Sequence, residues 1–138
     1  AKSAGLLKDY GNTTWKAWLS DSTTNAIDRI AGDGPWYLHD TKTIVFNNRA
    51  HLTLSPNVLN APISLTEKGT IKYSSVWTGT EPNGLKSVNY PYFCVDWTDA
   101  NGWGYSVMGN SGETNDSWTY YAMGLDCPRL ESLYCFEQ

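Results

Sequence analysis

Apolar residues in this chain come in short bursts rather than long periodic runs. Trp15, Ala17 and Leu19 alternate with Lys16, Trp18 and Ser20, the two-residue period of a strand with one apolar face. Asp21 to Thr24 offers N-cap side chains, and Ala26, Ile27 and Ile30 then share one side of a helix, so a short helix is predicted, closed by Gly32-Asp33-Gly34-Pro35. Trp36-Tyr37-Leu38 and Thr43-Ile44-Val45-Phe46 read as strands joined by a turn at residues 39–42. Residues 47–52 fit either a helical turn or an irregular loop. Further strands are predicted at residues 63–66, at Val76-Trp77, at 93–97 and at 133–136. Residues 99–126, rich in Gly, Asn, Ser and Thr, read as one long loop, too long for an ordinary connection and therefore expected to be functional or mobile. Residues 1–9 read as the tail of a helix whose start lies upstream, stopped by Gly11-Asn12.

No repeat, low-complexity block or linker divides the chain, and its 138 residues suit one domain, 1–138. The net charge of −4 comes without any basic run, which argues against nucleic acid or an anionic membrane surface as partner. No apolar stretch approaches the roughly 18 residues of a membrane span, so no membrane insertion is expected. Few charged residues, many Asn, Thr, Ser and Gly, and seven tryptophans with nine tyrosines suit an extracellular binding domain, secreted or held at the cell surface. Cys127 and Cys135 lie close together and Cys94 some way upstream. This pattern points to a disulfide framework rather than zinc, since there is no Cys-x-x-Cys pair and neither His39 nor His51 neighbours a cysteine. Asn12-Thr13-Thr14 and Asn115-Asp116-Ser117 match the glycosylation acceptor pattern at Asn12 and Asn115. Catalytic signatures are missing: there is no Gly-x-Ser-x-Gly elbow, no His-Glu-x-x-His and no phosphate loop, and the expectation is a protein that is not an enzyme.

The motif Trp77-Thr78-Gly79-Thr80-Glu81-Pro82-Asn83-Gly84 is followed by Cys94 with Trp97 three residues on, by a Trp-bearing loop, and by Cys127 and a final Leu133-Tyr134-Cys135-Phe136-Glu137. In this order the chain resembles the C-type lectin-like domain superfamily. It is most similar to the endostatin-like branch, in particular to the endostatin-like modules of bacterial surface proteins, with Thr14-Trp15-Lys16-Ala17-Trp18-Leu19-Ser20 in the place of an opening strand before a helix. The resemblance covers most of the chain from about Trp15. It implies an α+β, C-type lectin-like fold with two helices, small antiparallel sheets and a long-loop region, stapled by disulfides. It also implies that Cys94 pairs with Cys127. Cys135 takes the place of the fourth cysteine, whose usual partner lies in the first helix. No cysteine precedes Cys94, so the expected partner of Cys135 lies upstream of residue 1, with a thiol in another chain or no partner at all as the lesser options.

In mannose-type lectins of this superfamily a Glu-Pro-Asn turn, its proline cis, holds calcium and a pair of sugar hydroxyls together. The resemblance therefore nominates Glu81 and Asn83 for both ligand and calcium, with Asp99 and Asp116 as further oxygen donors toward the six to eight that calcium takes. The usual Trp-Asn-Asp partner motif is not in place: Asn115-Asp116 precedes Trp118 and lies well before Cys127. Aromatic residues of the long loop offer a second route to a ligand, through stacking on sugar faces, and Trp103, Tyr105, Trp118 and Tyr120 are the candidates. The expected function is lectin-like recognition of a glycan or of a host or matrix protein. A structural or assembly subunit of an extracellular appendage or surface layer is the alternative.

Overall fold

The computed structural model describes residues 14–98 and 104–138. It is an α+β arrangement of small antiparallel sheets, two short helical segments and one disulfide. Strand β1 (Trp15–Ala17) pairs with the last strand, β7 (Cys135–Glu137), matching Trp15 to Glu137 and Ala17 to Cys135. Helix α1 (Ala26–Arg29) follows, then the hairpin of β2 (Trp36–Tyr37) and β3 (Ile44–Phe46). Residues 49–53 form a 3-10 turn, the helical of the two options left open by the sequence. The third sheet has the order β4 (Ser75–Trp77), β5 (Tyr105–Asn110), β6 (Ala122–Asp126).

Two expectations are corrected here. Residues 99–126 are not one loop, because β5 and β6 lie within them as the centre and edge of the three-stranded sheet. Strand β5 is buried from Ser106 to Gly109 without a break, and a strand covered on both faces shows no two-residue alternation. Residues 93–97 are not a strand. Phe93, Cys94, Val95, Asp96 and Trp97 all have positive φ, between 35° and 64°, so α2 (Cys94–Trp97) is a left-handed turn. That conformation costs about 1–2 kcal/mol per L-residue. It is held from outside: Phe93 is buried, Cys94 is in the disulfide, the Asp96 carboxylate accepts from the Ser22 amide (2.7 Å) and hydroxyl (2.6 Å), and the Trp97 indole donates to the Ser20 carbonyl at 2.8 Å. The strand expected at residues 63–66 is reduced to a single bridge between Leu65 and Ile71.

The main core gathers Trp18, Ile30, Phe46, Leu52, Val76, Trp118 and Phe136. Trp118 packs against Trp18 and Phe46, with ring centroids 5.1 and 5.0 Å apart. The Trp18 indole donates to the Thr119 hydroxyl at 2.8 Å, and the Tyr134 hydroxyl donates to the Trp118 carbonyl at 2.9 Å. Trp18 and Tyr134 thus bury their apolar bodies while their polar groups are matched across the core, whereas the buried Trp118 indole N–H has no partner among the described residues. A smaller cluster of Trp77, Met108, Cys94 and Cys127 surrounds the disulfide, with Leu19 and Trp97 against it. His51 is buried and structural: its Nδ1 accepts from the Asn47 amide at 3.1 Å, which leaves Nε2–H to donate to the Val58 carbonyl at 2.9 Å.

One acid-sensitive feature arises at the turn before α1. Asp21 accepts from the Thr23 amide (2.8 Å) and hydroxyl (2.9 Å) and from the Thr24 amide (2.8 Å), and it pairs with the Arg29 guanidinium. Burial pushes the carboxyl up, but these donors outweigh it, Thr23 foremost, and hold it below the ordinary range. A depressed carboxyl stabilises the fold above the unfolded-chain value near 3.8, and that contribution is lost as pH falls through the lower folded value. Urea melts between about pH 5 and about pH 3 are expected to show wild-type stability falling more steeply than that of Asp21→Asn, which has no proton to take up there.

Candidate functional site

The Glu81 turn is built before any ligand arrives. The Glu81 amide donates to the Leu85 carbonyl at 2.8 Å, the Gly84 amide donates to the Glu81 carbonyl at 2.9 Å, and a bridge between Thr80 and Lys86 closes the base. Gly84 is required by geometry, since its φ is +82° and a Cβ there would meet Ile27 Cβ at 2.9 Å. The turn is docked on α1: the Ile27 amide donates to the Gly84 carbonyl at 3.2 Å, and the Lys86 amide to the Asn25 side-chain oxygen at 2.9 Å. Asn83, exposed, accepts from the Leu85 amide through its side-chain oxygen at 3.1 Å, the local bond of an Asx turn.

Glu81 is half-buried, and one of its carboxylate oxygens accepts from the Ser87 hydroxyl at 2.8 Å. Beside it lies Tyr120. Burial raises the Tyr120 phenol above its ordinary pKa, the Glu81 carboxylate and Tyr90 raise it further, and a hydrogen bond from the Asn89 side chain partly offsets them. Tyr120 is positioned from below: Trp18 and Thr78 both bond to Thr119, the Thr78 hydroxyl donating to its carbonyl at 2.7 Å, and the Tyr120 amide donates to the Asp116 carbonyl at 3.0 Å. The result is a part-exposed patch of one carboxylate, two phenols and an amide, with the buried Ser87 hydroxyl bonded to the carboxylate.

Of the residues nominated from the sequence, the structure brings Glu81 and Tyr120 together and leaves Asn83 on the same turn as Glu81. Trp118 is corrected: it is fully buried, a central ring of the main core, and cannot touch a ligand. A tryptophan amid Asn, Asp and Ser looks like a loop residue, but its 3-10 turn (Asp116–Trp118) drops the ring inward. Asp116 is also otherwise engaged, accepting from the Asn57 amide at 2.6 Å and the Ser55 hydroxyl at 3.1 Å, where it fastens the segment around Pro56. Tyr105, 49 % exposed, begins β5 opposite Asp126 and takes no part in the patch. Trp103 and Asp99 lie outside the described residues. Asn89, Tyr90 and Ser87 were missed; the run Asn89-Tyr90-Pro91-Tyr92, turn residues interleaved with rings, was the available signal.

As for calcium, the cis X–Pro bonds among the described residues are Gly34–Pro35 and Ser55–Pro56, so Glu81–Pro82 is trans, unlike the lectin turn. Among the described residues, no three His, Cys, Asp or Glu side chains gather as a metal site. Glu81 and Asn83 by themselves offer fewer than the six to eight oxygens that calcium takes. The disulfide joins Cys94 to Cys127 as the resemblance implied, with Cα atoms 5.4 Å apart, and Cys135 is a free, exposed thiol. Among the described residues, no helix is long and apolar enough to cross a membrane. No protein-family model, no curated protein and no solved structure matches the chain.

Proposed function

We propose that the chain is an extracellular binding module of the C-type lectin-like superfamily, endostatin-like branch, that recognises a glycan through the Glu81–Tyr120 patch. The observation that carries this reading is that Tyr120 lies within electrostatic reach of Glu81 and Tyr90 and is hydrogen-bonded by the Asn89 side chain, groups drawn from three separate segments. A sugar offers hydroxyls and an apolar ring face. The Glu81 carboxylate accepts from hydroxyls in charge-assisted hydrogen bonds, the Asn89 amide donates to them, and a tyrosine ring stacks on the face. The disulfide and the secretory composition support an oxidising compartment.

The test is a glycan and matrix-protein binding screen with and without calcium, followed by titration of the best ligand. Tyr120→Ala is expected to weaken binding at least tenfold and Glu81→Gln by about five- to tenfold, the scale of one well-placed contact of about 1–1.4 kcal/mol, with melting curves close to wild type. Binding unchanged by chelation assigns recognition to the protein groups alone. A calcium-dependent rise in melting temperature that vanishes in Glu81→Gln restores the metal to the turn. Absence of binding in either condition, or wild-type affinity in Tyr120→Ala, defeats the proposal, and concentration-dependent assembly that survives chelation favours the subunit role instead.

A further inference from the structure

A cavity of about 310 Å³ opens between the β2–β3 hairpin and the β1–β7 pair, and it shares no residue with the Glu81–Tyr120 patch. Its floor is the main core, formed by Val45, Phe46, Val76, Tyr134 and Phe136. Its walls carry three large aromatic side chains, Trp15, Trp36 and Tyr37. Trp36 is fixed by edge-to-face packing on Phe136, centroids 5.8 Å apart, so its ring is part of the frame rather than a loose flap. Glu67 and Glu137, both exposed, line the same cavity. Lys72 also reaches it, its ammonium donating to the Ser132 hydroxyl at 3.2 Å and keeping its charge, but the two carboxylates outnumber it.

An apolar floor selects an apolar body, while aromatic walls with carboxylates beside them attract positive charge, through ring quadrupoles and Coulomb attraction together. The volume suits a ligand of about ten to fifteen heavy atoms, at the small end of ligand pockets. We propose that this cavity is a second binding site, which takes a small organic cation with an apolar body, its ammonium head among Trp15, Trp36 and Tyr37 and beside the Glu67 and Glu137 carboxylates. The site is independent of glycan binding at the Glu81 patch.

Cys135 lines the cavity and supplies a reporter. Partial burial raises its thiol pKa, and the Glu67 carboxylate raises it further, which places sulfur and carboxylate within electrostatic reach. The experiment titrates the whole chain with benzyltrimethylammonium by calorimetry, with benzyl alcohol as the uncharged counterpart, and follows alkylation of Cys135 by N-ethylmaleimide. Expected are saturable binding at one site, protection of Cys135 by the bound cation, and affinity about five- to tenfold lower in Glu67→Gln/Glu137→Gln, whose exposed carboxylates can be neutralised without disturbing the core. Tyr120→Ala should bind the cation as wild type does. The proposal is overturned if no saturable binding occurs, if benzyl alcohol binds as well, if the double variant keeps full affinity, if Cys135 is not protected, or if Tyr120→Ala abolishes the binding.

Discussion

Gly109→Ala is expected to cost more than about 4 kcal/mol and to leave the chain largely unfolded, as read by loss of the near-ultraviolet dichroism of its buried tryptophans. A Cβ at this position would lie 1.8 Å from the Trp118 carbonyl oxygen, 2.6 Å from its carbon and 3.0 Å from Thr119 Cα. All three are backbone atoms, so no rotamer change gives way. Nor can β5 retreat: it is the central strand, with Gly109 opposite Val76 on β4 while Met108 pairs with Ala122 on β6. Pushing residues 118–119 outward instead would break the Trp18–Thr119 and Thr78–Thr119 hydrogen bonds and displace Tyr120. Gly112→Ala is the control. There a Cβ meets only the exposed Tyr73 ring, at 3.1 Å, and the Asn110 side chain, at 3.4 Å, so the cost should stay within about 1 kcal/mol. Equal melting temperatures for wild type and Gly109→Ala would mean that the 118–119 segment does not sit on β5 as described.

Removing the disulfide should be the next largest loss. With Cys94 and Cys127 separated by 33 positions in sequence, the chain-entropy model gives about 3–4 kcal/mol for the cross-link. Cys94→Ser/Cys127→Ser, made in a Cys135→Ser background to prevent thiol exchange, is expected to lose about 3 kcal/mol in urea unfolding. The strained turn adds a local signature. Five residues with positive φ are held by the disulfide, by buried Phe93 and by two contacts to residues 20–22; without the first anchor, the turn can relax toward right-handed geometry. Amide exchange should therefore accelerate at Val95 and Trp97, whose N–H groups bond to Tyr92 and Phe93 carbonyls, ahead of the strands. Uniform exchange across the domain would show that the turn gains nothing from the cross-link.

The early half of the chain was legible because each element there carries its own signal. Trp15 to Ala17 alternates, Ala26 and Ile30 share a helical side, and turn residues separate β2 from β3. Strand β5 was opaque because it is covered on both faces while being built of Ser106, Val107, Met108 and Gly109, a mixture with neither alternation nor continuous hydrophobicity. The left-handed turn misread as a strand for a different reason: Phe-Cys-Val-Asp-Trp has the composition of a strand, and only tertiary anchors impose the other conformation. At the candidate site, Glu81 could be named from its turn. Asn89 and Tyr90 had only the turn-and-ring run of residues 89–92 as a signal; their link to Glu81 runs through Tyr120, whose place is set by the bonds of Thr119 to Trp18 and Thr78, a long-range arrangement without a local pattern.

The pairing of β1 with β7 has a mechanical meaning. Trp15 lies opposite Glu137, and the Gln138 amide donates to the Thr14 carbonyl at 2.9 Å, so the chain enters and leaves this sheet at the same end. Tension applied through the two ends acts across the pair and opens it as a zipper, one rung at a time, rather than shearing all rungs at once. The rungs are few, and the next contact inward is the Trp18 amide to the Tyr134 carbonyl, at the edge of the main core. The domain should therefore yield at low force, and the closed loop between Cys94 and Cys127 then limits how far the opened chain can extend.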